Sequence, residues 1–197
     1  MPTKETAAFV KSFFEKYYQK LYNESKVLVS LPKVPEEMVA EDGNSDGWKV
    51  WKLIPSSVTE EQLSKLEQDL GVRFPDILKA FFTVYHHLFE EPIGRNAIDR
   101  PLTGFDHAYN ESLVRCGFLP FTWDSQHYFI RCMDLQNMPD EHACPILEID
   151  HEEMFDLIFD AEEKGESVSR EAFMKHLRPV ADHFYDYLNG VYEGRIE

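Results

Sequence analysis

The sequence predicts an α+β fold: one domain with a central, mostly antiparallel sheet flanked by helices, preceded by an added N-terminal helix. Two observations predict it. Helix and strand signals are segregated along the 197 residues as helix, strand, two helices, meander, then two or three helices, an order that a doubly wound βαβ fold does not produce. The composition, 43% hydrophobic and 14% aromatic, supplies a substantial core and argues against disorder. The expected division is residues 1–47 as N-terminal helix and linker, and 48–197 as the α+β domain.

The first helix is expected over Thr6 to Tyr22, where Phe9, Phe13, Tyr17 and Leu21 recur every four residues and Phe14 and Tyr18 widen the stripe. It either completes the core or mediates dimerisation. Pro32, Pro35, Gly43, Asn44, Ser45, Asp46 and Gly47 mark residues 32–47 as loop or linker. A strand follows at Trp48–Ile54. Thr59 and Gln62 then form a capping box, Glu60 and Glu61 suit the positive end of the helix dipole, Leu63, Leu66 and Leu70 line the buried face, and Gly71 stops the helix. Pro75 and Asp76 open a second helix whose core face is Ile77, Leu78, Phe81, Phe82 and Tyr85, ending near Leu88. After a loop-rich stretch over 90–110, Gly117–Trp123 and His127–Asp134 read as strands joined by Asp124-Ser125-Gln126. Cys144–Ile149 is a further strand. Asp150 and Glu153 make a second capping box for a helix carrying Met154, Phe155, Leu157, Ile158 and Phe159, which Gly165 ends. Ser169 caps a last helix, which Pro179 kinks or splits.

Charge narrows the function. The chain carries 36 acidic and 20 basic residues, a formal net charge of −16. Such an excess argues against direct binding to nucleic acid and to anionic lipid, both of which need Lys and Arg against phosphates. Residues 1–55 balance at eight Lys and eight acids, so the whole excess follows them, and residues 140–171 hold 12 acids against Lys164 and Arg170. That stretch reads either as a solvated helix face or as a surface that recognises a cationic partner. Its outward stripe is expected to be Glu152, Asp156, Asp160 and Glu163, spaced to share one helix face. Trp123 and Asp124, at a hairpin turn, are further partner-binding candidates, against the plainer reading of Trp123 as a core ring ending a strand.

No chemistry stands out. Phosphate-binding, dinucleotide-binding, zinc-protease and serine-hydrolase motifs are all missing. Cys116, Cys132 and Cys144 form no CxxC pair and read as buried small hydrophobes of a reducing compartment. His86, His87 and Glu90 could share a metal but lack further ligands, and a helix-end role explains them as well. No catalytic residue, cofactor or metal is therefore expected. With no apolar run of about 18 residues to span a membrane, and a start at Met1-Pro2-Thr3-Lys4-Glu5 unlike a secretory signal, a cytoplasmic location is expected.

The ordered set Thr59-Glu60-Glu61-Gln62-Leu63, Leu66-Glu67, Leu70-Gly71-Val72-Arg73-Phe74-Pro75, Leu78 and Phe81-Phe82 resembles the opening of the SUKH superfamily of SMI/KNR-like domains. Phe118-Leu119-Pro120-Phe121, the Tyr128–Cys132 strand, Cys144-Pro145-Ile146 before Asp150-His151, and Phe173 with Leu177 are similar to its sheet and closing helix. The likeness spans about Pro55 to Leu188. It differs at His86-His87-Leu88-Phe89-Glu90 and at Asp124-Ser125-Gln126, where the family often carries glycine. The resemblance implies protein binding and no catalysis: an immunity protein that neutralises a cognate, basic bacterial toxin domain such as a nuclease, or else a regulatory scaffold like the fungal cell-wall regulators.

Overall fold

The computed structural model describes residues 2–42, 47–103, 107–138 and 144–197. The fold is α+β, with an N-terminal helix and antiparallel sheets. It divides into two compact units: Met1–Lys65, Asp76–Glu90 and Arg95–Thr103 in one, Leu66–Pro75, Glu91–Gly94 and Gly104–Glu197 in the other.

In the first unit, α1 (Lys4–Glu24) starts where the Thr3 hydroxyl accepts from the Thr6 amide, and the Thr3 amide donates to the Asp76 carboxylate at 3.1 Å. Its buried line is Thr6, Val10, Phe13 and Phe14, while the expected Phe9, Tyr17 and Leu21 are only half buried. Phe14 packs on Phe81, His87 and Phe89 with ring centroids 5.2, 4.6 and 5.8 Å away. The Tyr18 hydroxyl donates to the Trp51 carbonyl at 2.5 Å. N-terminal aromatics therefore complete a core, one of the two roles the sequence left open.

Three short strands, β1 (Ser30–Leu31), β2 (Val39–Asp42) and β3 (Lys49–Trp51), form an antiparallel sheet in the order β1-β3-β2. β2 lies inside the stretch expected to be linker, with a register shift between Val39 and Glu41. Residues 43–46 of that stretch lie outside the described residues. β4 (Ile54–Pro55) precedes α2 (Glu60–Leu70), whose capping box forms in both directions: the Thr59 amide donates to the Gln62 side chain at 2.9 Å and the Gln62 amide to the Thr59 hydroxyl at 3.3 Å. Gly71 ends α2 at φ +66°, in the left-handed conformation that a residue with a Cβ avoids. α3 (Asp76–Val84) is shorter than expected. Tyr85 and His86 leave it to form β5, which pairs with β4, and His87 exchanges backbone hydrogen bonds with Asn96. These pairings take the amides and carbonyls that would have continued the helix.

The second unit holds α4 (Glu111–Arg115) and a meander of β6 (Phe118–Trp123), β7 (Phe129–Asp134), β8 (Ile146–Asp150) and β9 (Arg178–Ala181), antiparallel throughout. α5 (His151–Glu163) and α6 (Arg170–Met174) lie between β8 and β9, and α7 (Phe184–Glu193) follows. Side chains alternate across a strand. Ile130 and Cys132 accordingly join a core with Leu113, Phe118, Ile149, Met154 and Phe173, while Arg131 between them meets Tyr187 of α7. The sheet is thus sandwiched between α5 with α6 and α7. Pro179 does split the expected last helix, but into a helix, a strand and a helix. Pro179 sits on edge strand β9, where a missing amide is tolerated.

One buried group stands out energetically. His87 is 0% exposed, and neither ring nitrogen meets a hydrogen-bond partner among the described residues. Burial, with a smaller contribution from His86, lowers its pKa from 6.5 to about 3. The ring's neutral state is fully present above pH 6.5, so this group's contribution to stability is intact there and is lost as the pH falls toward 3. His87→Leu keeps the apolar contacts and removes two orphaned nitrogens, which should stabilise the fold by about 1–3 kcal/mol. Urea unfolding at stepped pH checks this: the advantage of the leucine variant should widen as the pH falls from 6.5 toward 3.

Candidate functional site

The candidate surface is built from the β6–β7 hairpin and α5. Asp124 organises the hairpin. One carboxylate oxygen accepts from the amides of Tyr128 and Phe129, both at 2.7 Å, and the other from Gln126 at 3.3 Å. Its own amide donates to the Phe129 carbonyl, and His127 takes a positive φ of 59°. Only 7% exposed, Asp124 is committed to backbone amides, which gives it the job of shaping the turn.

Trp123 is half buried. Its indole N–H donates to the His107 carbonyl at 3.0 Å, and the imidazoles of His107, His127 and His151 surround it at centroid distances of 6.1, 5.9 and 5.8 Å. The sequence carried no signal for this cluster, because the three histidines lie far apart along the chain. His151 opens α5 and also ties it to the hairpin: its amide and Nδ1 both donate to the Tyr128 carbonyl, at 3.1 and 3.0 Å. A carbonyl only accepts, so Nδ1 carries the proton.

The Asp150 side chain caps α5 by accepting from the amides of Glu152 and Glu153. Glu153 does not reach back as a full capping box requires; it turns toward His176 and Arg178, at 3.5 and 3.9 Å. Met154 is buried, with Leu157 and Ile158 packed against the core. Glu152, Asp156, Asp160 and Glu163 are all exposed, the outward face expected of them, and none forms an ion pair among the described residues. Phe155 and Phe159, which the sequence places on this helix without choosing a face for them, are 47% and 64% exposed. A helical wheel holds the signal for this: at about 100° per residue, Phe159 falls beside Glu152 and Glu163, not beside Met154.

The other candidate groups are engaged elsewhere. His86 Nε2 accepts from the Ser57 amide at 2.9 Å, so Nδ1 donates to the Asn96 carbonyl at 3.1 Å, and burial lowers the ring's pKa. Glu90 pairs with Arg95 at 2.5 Å. Burial raises the pKa of all three thiols, that of Cys144 to about 12, which leaves them protonated and weakly nucleophilic at neutral pH. Among the described residues, no group of three or more His, Cys, Asp or Glu is arranged to hold a metal ion, and no helix is long and apolar enough to cross a membrane.

A model of the SMI1 / KNR4 family (SUKH-1) matches residues 57–190. No curated protein and no solved structure matches the chain.

The hairpin should depend on Asp124. Asp124→Ala leaves three amides without their acceptor and should cost about 2–4 kcal/mol, with Asp124→Asn costing less because one oxygen remains. Urea unfolding measures the loss, and a red shift of the fluorescence of Trp123, next to the turn, reports its local loosening.

Proposed function

The chain belongs to the SMI1 / KNR4 family (SUKH-1), and we propose that it is a non-catalytic protein-binding domain: an immunity protein that neutralises a cognate bacterial toxin by binding it directly. The observation that carries this reading is the row Glu152, Asp156, Asp160 and Glu163, exposed on α5 and without an ion pair among the described residues. Like charges three and four residues apart disfavour an isolated helix by a few tenths of a kcal/mol per pair. They do nothing for folding here, but they suit the recognition of a basic surface. Opposite fields speed encounter and discourage wrong partners. Where the toxin is a nuclease, these carboxylates would occupy the positions of its substrate's phosphates and deny it nucleic acid.

The thiols and histidines support the non-catalytic part of the reading. The three cysteines are buried and held protonated, and His86 and His87 are enclosed and uncharged. Neither set offers an activated nucleophile or base to a substrate.

The test is to look for a toxin gene just upstream of this one and to co-express the two. Growth should be rescued and a complex recovered by gel filtration. Persistent toxicity with no complex sinks the reading, and a pull-down yielding several cellular partners would favour a regulatory scaffold instead. Replacing Glu152, Asp156, Asp160 and Glu163 together by Lys should weaken toxin binding at least about tenfold and flatten its dependence on salt, because exposed charges are screened over about 8 Å at physiological ionic strength. Titration calorimetry at two salt concentrations measures both effects.

A further inference from the structure

The structure assigns a docking role to Phe155 and Phe159: we propose that they anchor a basic protein partner presenting an apolar strip bordered by Lys and Arg. This deepens the binding-domain reading above and rests on it. Phe155 and Phe159 are the two phenylalanines exposed among the described residues, in a chain that has 15. They lie four residues apart and so share one helix face. Around α5 the order is Glu162, Phe155, Phe159, Glu152, Glu163, Asp156, Asp160, a pair of rings with the carboxylate row along one side and Glu162 on the other. Burying a phenylalanine is worth about 1.5–3 kcal/mol, and folding leaves close to half of that unused at Phe155, 47% exposed, and more than half at Phe159, 64% exposed.

Charge decides what covers the rings. A second copy of the chain would bring one carboxylate row against another within a stretch that carries 12 acids and two bases, an arrangement that like-charge repulsion opposes. Nucleic acid and anionic membrane are repelled for the same reason. A protein strip with apolar side chains in the middle and Lys or Arg at its border satisfies both halves of the face. The rings sink into the apolar strip and the carboxylates meet the cations. The two halves then control different rates: the carboxylates steer arrival, and the buried rings slow departure. Steering alone would bind any polycation, so the rings supply the discrimination.

The probe is a peptide of leucine and lysine patterned as an amphipathic helix, compared with an isomer of the same composition whose leucines do not share a face. Both carry the same charge, so the acidic row alone cannot tell them apart. The patterned isomer should bind the full chain about tenfold more tightly. Phe155→Ser with Phe159→Ser should erase that preference while preserving a weak, salt-sensitive affinity for both. Val27→Ser with Leu28→Ser, at an exposed apolar pair on the first unit, should keep the preference. Equal binding of the two isomers, or a preference that survives loss of both rings, overturns the proposal. So does a dimer in sedimentation that the phenylalanine substitutions disperse, since a second copy would then be the occupant. If the peptides behave as expected but no toxin is neutralised, the docking face stands and the toxin reading falls.

Discussion

The buried ion pair between Asp134 and Arg170 sets the geometry of the candidate surface. Asp134 ends β7 and is 1% exposed. Arg170 Nη2 lies 2.7 Å from both carboxylate oxygens, Nη1 donates to the Cys116 carbonyl at 3.0 Å, and the guanidinium sits 4.3 Å over the Phe118 ring. A carboxylate this deep is tolerated only when paired and hydrogen-bonded, and removing one partner typically costs about 3–5 kcal/mol. Arg170 is the first residue of α6, so the pair fixes that helix against β6 and β7. Phe173, one turn later, then reaches the core. The preceding segment is pinned at its other end by the Asp150 cap and by the two His151 bonds to Tyr128. With both ends held and Met154 buried, α5 has one orientation, and its outward residues are determined by helical geometry.

The same pins explain why the negative row stays uncompensated. Nearby cations are spent inward or at Glu153, which borders the row on α5. Arg170 is taken by Asp134; Arg178 lies 5.4 Å over Phe129 and pairs loosely with Glu153; Arg131 sits between Tyr187 and Glu148. These pairs link strands and helices of the second unit and help hold its core in one arrangement. What they leave on the far side of α5 is negative charge with two rings beside it. The surface is therefore a by-product of how internal charges were satisfied as well as of composition.

Features fixed within one turn of chain were legible in the sequence. The Thr59 and Gln62 box, the Asp150 cap and the positive φ of Gly71 and Gly165 depend only on residues a few positions away. The outward direction of Glu152, Asp156, Asp160 and Glu163 followed from helical spacing in the same way. What required a distant partner was not legible. α3 stops early because Ile54 and Pro55 claim the next two residues, and residues 178–181 become a strand because β8 has a free edge. Asp124 read as a partner-binding candidate because its use in the turn depends on amides two to five residues ahead being folded back onto it. The exposure of Phe155 and Phe159 was not legible from their hydrophobicity alone, because it arises from the sheet taking only one side of α5, already filled by Met154, Leu157 and Ile158.

The family match begins at residue 57, but the first unit does not. Phe81, His87 and Phe89 lie within the matched segment, and the ring they all pack on is Phe14 of α1. Trp51 of β3 closes on Phe89 at 4.9 Å. A segment cut at residue 57 would expose these rings along with the uncharged His87, and His87 would then meet water and regain its ordinary basicity. The low pKa of this histidine follows from burial, to which Phe14 of α1 contributes at 4.6 Å. In this chain the helix before the matched segment is part of the domain's hydrophobic core, and the matched residues depend on it for their burial.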